Sequence, residues 1–262
     1  MIDERWQDIY ASRQTNKILT GELSAIERVK IGGDETKECA VVFYNGAKVL
    51  IPFEEMGLPR EDVTIVRSMI GAEIDFVVRG IDTDREIAVG SRKFAMALRR
   101  KLELPKHNVG DIIQIRIDAV GKNSVIAEAY GIETRIPKEE IDYGYIDRIN
   151  DLLQVGDKVQ AKITELDPEQ GIVKVSIKET KPNPFLTVGT KYVKGGEYLG
   201  TVKGVKSYGY FVNLEQGIDV LCPNTYWKDM PKRGDKVTVR ITYINKNKQY
   251  VSGILKRIIR KA

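Results

Sequence analysis

The chain has 262 residues, 42% of them hydrophobic and 30% charged, with a formal net charge of +5, which suits two or three modest globular domains rather than a disordered polymer. Its apolar runs are too short to cross a bilayer, and a single histidine with two distant cysteines offers neither a zinc ligand set nor a disulfide framework. Phosphate-loop, dinucleotide and nucleophile-elbow motifs are absent, so a soluble, cytoplasmic, monomeric protein with no cofactor, no bound metal and no enzymatic activity is expected.

Residues 1–15 place Trp6, Ile9 and Tyr10 on one side and read as a short amphipathic helical lead-in. From there a module repeats. Gly46 and Pro52, Gly131 and Pro137, and Gly217 and Pro223 stand six residues apart in NGAKVLIP, YGIETRIP and QGIDVLCP. The next glycines, Gly71, Gly156 and Gly234, precede Asp82, Asp167 and Asn245 by eleven residues each. Two spacings kept three times, at strides of roughly 80 residues, mark one repeated unit.

The unit reads as β. Val237, Val239, Ile241 and Tyr243 alternate with polar neighbours, and VQAKITEL, IVKVSIK and DIIQIRI do the same earlier, the period-two pattern of half-buried strands. Between the third and fourth strands the first two units carry EEMGLPREDVTIVRSM and KEEIDYGYIDRINDLL, whose charged starts predict short helical turns. Five short strands with one helical insertion predict an all-β chain of three tandem five-stranded barrels of the OB type joined by short helical connectors. Spacing alone leaves a β-sandwich as the structural alternative.

The resulting domains are 16–90, 108–179 and 190–262. The basic connector 91–107 contains SRKFAMALRRKLEL, which predicts a helix over 91–104, and ends at His107, read as a surface histidine. Residues 180–189 contain two prolines and predict an extended spacer.

Charge and rings are unevenly shared. Residues 16–90 and 108–179 each hold nine basic and fourteen acidic side chains, net −5, whereas 190–262 hold fifteen and five, net +10. The last segment also holds nine of the twenty aromatic residues: Tyr192, Tyr198, Tyr208, Tyr210, Phe211, Tyr226, Trp227, Tyr243 and Tyr250. Single-stranded nucleic acid is gripped by cations along its phosphates and rings stacked on its bases, and this segment supplies both.

Those residues carry a resemblance. GTVKGVKSYGYFV (200–212), followed by GIDVLCP and GDKVTVRITYIN, is similar to the S1 RNA-binding domain found in bacterial ribosomal protein S1 and polynucleotide phosphorylase. The middle unit resembles it through IPKEEID and VGDKVQAKITELDPEQGIVKVSIKET. The first does so through KVLIPFEEMG, IGAEIDFVVRGID and AVGSRK, like the leading domains of S1-type proteins of Gram-positive bacteria. The likeness covers about residues 6 to 258. It implies OB barrels throughout and a stacking platform at Tyr208 and Phe211, with Tyr210 between them. The histidine common in the following turn of the family is here Pro223, and the family's aspartate and basic residue are Asn245 and Gln249, which can only hydrogen-bond. Lys203, Lys206, Arg240, Lys246 and Lys248 are the candidate phosphate contacts. The first two units lack a ring pair at the platform positions, which implies RNA contact chiefly through the third domain. The expectation is a non-catalytic single-stranded RNA binder acting in translation or mRNA handling, with the small ribosomal subunit or another protein as a further partner. The alternative is an interaction scaffold docking on ribosome or polymerase through its acidic domains.

Overall fold

The computed structural model describes residues 4–30, 36–58, 63–224 and 230–261. They form two compact units. One comprises residues up to Pro137 together with Ile149–Ser176, and the other Lys138–Arg148 together with the residues from Ile177 onward.

The first unit opens with α1 (Glu4–Thr15) and continues through β1 (Leu19–Lys30), β2 (Thr36–Tyr44), β3 (Ala47–Pro52), α2 (Val63–Ser68), β4 (Glu73–Asp82) and β5 (Ile87–Ser91). These strands close a barrel in the order β1-β2-β3-β5-β4, with the helical insertion between the third and fourth strands as expected of an OB fold. Trp6 and Ile9 of α1 are buried in the barrel's core cluster, and Ser12 Oγ accepts the Val78 N–H at 3.0 Å, so the lead-in helix is fastened to β4. Helix α3 (Arg92–Glu103) follows, capped by Ser91 Oγ, which accepts from the Phe94 N–H.

The second set, β6 (Ile112–Val120), β7 (Ser124–Ala129), β8 (Ile132–Pro137), β9 (Lys158–Asp167) and β10 (Ile172–Ser176), is a five-stranded sheet in the order β10-β9-β6-β7-β8. Here the structure differs from a closed barrel, since β8 and β10 share no ladder. In the first barrel the corresponding closure is a parallel pairing of Lys48–Leu50 with Ile87–Val89 only. A slanted parallel join of two or three residues is the weakest ladder of such a barrel and the first to be lost.

In the second unit, β11 (Glu197–Lys206), β12 (Gly209–Glu215), β13 (Ile218–Pro223), β14 (Lys236–Asn245) and β15 (Tyr250–Arg260) close again in the order β11-β12-β13-β15-β14. Its core gathers Val202, Val212, Val220, Val237, Val239 and Ile241, the inward half of each alternation. The spacer 180–189 is not extended. Asn183 Oδ1 accepts from the Phe185 N–H and starts a turn over Pro184–Leu186, and α4 (Val188–Lys191) follows. Pro184 stands at the start of that turn, where a missing N–H costs nothing.

The repeated spacings have a backbone cause. Gly46, Gly131 and Gly217 in the hairpin turns, and Gly71, Gly156 and Gly234 ahead of the fourth strands, all lie at φ between 81° and 97°, which side chains rarely adopt. Asp82, Asp167 and Asn245 each accept a turn N–H through Oδ1, from Asp84 and Arg85, from Gln170 and from Lys248. The third repeated position is thus a hairpin cap.

Connector charge is not all at the surface. Arg92 is 1% exposed and donates to the Met56 carbonyl at 3.0 Å and to Asp118 Oδ2 at 2.8 Å, with Glu133 at 2.9 Å. Arg116 pairs with Asp75 and Glu128, both at 2.8 Å, and Arg99 also pairs with Asp75. His107 is not a bare surface residue. Its ring stacks on Tyr130 at 4.1 Å and its side chain is 20% exposed. Cys39 and Cys222 are both buried and unbonded, and burial pushes their thiols up to about 11 and about 12.

Burial, opposed by Arg92 and reinforced by Glu128 and Glu133, pushes the Asp118 carboxyl up to about 7. From about pH 4 to that value the folded chain holds a proton which the unfolded chain releases. The carboxyl's contribution to stability is therefore full at the acid end of that window and is lost as pH rises through 7. Asp118→Asn should flatten this decline, measured as Tm between about pH 5 and pH 8.

Candidate nucleic-acid interface

The third barrel resolves its aromatic cluster by alternation. Along β12, Tyr210 and Val212 point inward, while Phe211 and Asn213 face out, and Tyr208 stands in the turn between β11 and β12. Tyr208 is 59% exposed and meets Phe211 edge to face at 6.1 Å. Tyr210 is 1% exposed, with its hydroxyl 3.1 Å from Met230 Sδ. Its place on the RNA platform is therefore corrected, because alternation along β12 turns it away from outward Phe211 and into the core.

The remaining sequence candidates divide. Lys246 and Lys248 are exposed in the β14–β15 turn, with no acidic partner among the described residues. Lys248 and Gln249 line a groove of about 420 Å³ together with Phe211, Leu221, Tyr145 and Asp219. Lys206 is bound to Asp147 at 3.0 Å, and Lys203 lies 3.9 Å from Asp219. Arg240 is outside this groove, engaging Glu197 through Nε and Nη2 at 3.1 and 2.7 Å. Asn245 is occupied twice, its Oδ1 by the Lys248 N–H and its Nδ2 donating to the Tyr243 hydroxyl. The reading of Asn245 as an RNA contact gives way to that of a turn residue. Tyr226 and Trp227 lie outside the described residues.

Half of the site was not foreseen. Residues 138–148, which in sequence join β8 to β9, form part of the second unit. Tyr145 lies flat on Phe211, centroids 3.8 Å apart and planes 9° from parallel. Gly204, the β11 residue paired with Phe211, makes room for it, since a Cβ there would fall 2.4 Å from Tyr145 Cε1. The Tyr145 N–H donates to Asp219 Oδ2, and the Tyr145 hydroxyl donates to Asp147 Oδ1 at 3.0 Å. Lys138 Nζ stands 5.9 Å from the centre of the Tyr145 ring. Burial raises the Asp219 carboxyl above its ordinary range, opposed by Lys203, and its Oδ1 is buried without a hydrogen bond. Lys206 instead holds the Asp147 carboxyl below the usual range. The only signal in the sequence was the stretch DYGYID itself, two rings about a glycine between carboxylates.

Strand order and bulges define three successive five-stranded domains of the OB type, two of them closed barrels, and the third carries an outward ring pair. Among individual proteins, the chain is similar to small ribosomal subunit protein bS1 over most of its length. It is 25% identical to that of Streptococcus pneumoniae over 255 residues, 92% of this chain and 62% of that protein. To that of Coxiella burnetii it is 23% identical over 261 residues, 94% of this chain and 45% of that protein. A further relative is 4-hydroxy-3-methylbut-2-enyl diphosphate reductase of Clostridium acetobutylicum, 25% identical over 194 residues, 72% of this chain and 30% of that protein. The chain thus spans between 30% and 62% of the length of these three relatives. No family model matches. Among the described residues no helix is long and apolar enough to cross a membrane.

Proposed function

We propose that the chain is a non-catalytic binder of single-stranded RNA, acting in translation or mRNA handling, and that its third barrel makes the main contact. The observation that carries this reading is the outward pair Tyr208 and Phe211, with Lys248 lining the same groove as Phe211 and Lys246 exposed in the same turn as Lys248, neither lysine with an acidic partner among the described residues. Bases stack on the rings, and the β14–β15 turn takes the phosphates. Similarity to bS1 proteins supports the ribosomal setting, with the small subunit as a protein partner.

The test is a polarisation titration of the full chain with a labelled oligoribonucleotide and its DNA counterpart at several salt concentrations. RNA should bind at low salt, with log K falling against log salt at a slope of about −2 for roughly three phosphate contacts. Absence of RNA binding at low salt, or binding indifferent to salt, would overturn the reading.

A further inference from the structure

The segment that covers Phe211 fills three kinds of contact at once, and the three together have the chemistry of a nucleotide. A flat ring, Tyr145, is stacked on Phe211 at 3.8 Å, where a base would lie. A planar N–H, the Tyr145 amide, is donated to the carboxylate of Asp219, as the amino or imino edge of a base would be. An anion, Asp147, is held by Lys206 at 3.0 Å and by Arg233 at 3.7 Å, as a phosphate would be. The slot at Gly204 that admits the ring would admit a base equally.

We infer that residues 142–147 are an internal mimic of a nucleotide that occupies the third barrel's RNA site and must leave for RNA to stack on Phe211. The inference rests on the proposed RNA function and extends it. It assigns a base seat at Phe211 and Gly204, an acceptor for base N–H groups at Asp219, and a phosphate clamp at Lys206 and Arg233. The site then prefers bases that present a donor edge to a carboxylate, guanine and cytosine above uracil opened only at its single imino group. RNA affinity is lowered by the fraction of molecules in which the segment is seated, so freeing the site raises affinity without any new contact.

The experiment compares the full-length chain with its Tyr145→Ala and Asp147→Asn variants in titrations with labelled single-stranded RNA, using Tyr145→Phe as the conservative control. Tyr145→Ala should bind about tenfold more tightly, since one ring stack is removed from the competitor, and Asp147→Asn should tighten binding in the same direction. Tyr145→Phe, which keeps the ring and the amide but loses the hydroxyl's bond to Asp147, should bind no more than slightly tighter than the natural chain and well short of Tyr145→Ala. Equal or weaker binding by Tyr145→Ala would overturn the inference and make Tyr145 a fixed part of the fold or of the RNA surface. A measurement on the unaltered chain guards against misfolding of the variants. Hydrogen exchange of the Tyr145 amide should accelerate when RNA is added, and unchanged or slower exchange would overturn the mimic. If RNA binding falls on replacing Tyr208 and Phe211 but does not rise on replacing Tyr145, the proposed function stands and this inference alone fails. If neither the natural chain nor any variant binds RNA, both fail.

Discussion

Tyr208→Ala combined with Phe211→Ala should weaken binding of a single-stranded oligoribonucleotide by roughly 2–6 kcal/mol, since each base–ring stack contributes about 1–3. The lower bound already corresponds to about a thirtyfold rise in Kd. The loss should fall in the lower half of the range, because removing the Phe211 ring also removes the seat of Tyr145, and the intrachain competitor is weakened along with the ligand. Neither replacement empties the barrel core, and the stability lost is mainly that of the Tyr145–Phe211 stack, about 0.5–1.5 kcal/mol. Tyr208 is 59% exposed and Phe211 faces out of the barrel, whereas Tyr210→Ala would empty a core position. Circular dichroism on the double variant should show an intact β fold alongside the lost affinity. A Kd within twofold of the natural chain would remove the stacking platform from the account of this protein.

The second large effect lies in the first unit. At pH 8, where Asp118 is ionised beside Arg92, Arg92→Met should destabilise this unit by about 3–5 kcal/mol, a drop in Tm of roughly 6–20 °C for a body of this size, and by less below pH 7, where Asp118 holds its proton. The methionine fills much of the arginine's volume, so the loss is electrostatic rather than a cavity. Asp118, 1% exposed, and the neighbouring Glu133 would both lose the guanidinium that neutralises them, and the Met56 carbonyl would lose its donor. Arg92→Met with Asp118→Leu should recover part of the loss, because removing both charges of a buried pair costs less than orphaning one. A Tm for Arg92→Met within about 2 °C of the natural chain at pH 8 would mean that the cluster is relieved of its charge by water or by a proton taken up at Asp118.

The fold was readable from sequence where a local backbone requirement imposed a residue type. A left-handed turn demands glycine wherever the module recurs, and a hairpin cap demands aspartate or asparagine, so Gly71 with Asp82, Gly156 with Asp167, and Gly234 with Asn245 recur at one spacing. The same logic explains the misreading of Asn245, since a position kept for its turn looks the same as one kept for a ligand. Tyr208 and Phe211 were legible because the family pattern names them, whereas Tyr210 required knowing the register of β12. Tyr145 was not legible at all. Its partner Phe211 lies 66 positions further along, and no local pattern says which surface an insertion will cover. Nor did the sequence distinguish Arg92 from the other basic residues of the connector, because burial of a charge depends on carboxylates from distant strands.

The two cysteines give this chain a pair of built-in clocks. Each of the closed barrels contains one thiol, Cys39 on β2 and Cys222 on β13, sealed from water and held in the unreactive protonated form. Alkylating reagents can reach either sulfur only when its own strand lifts away. The rate of modification at each site, resolved by mass spectrometry, therefore times the opening of one barrel independently of the other, with no engineered probe.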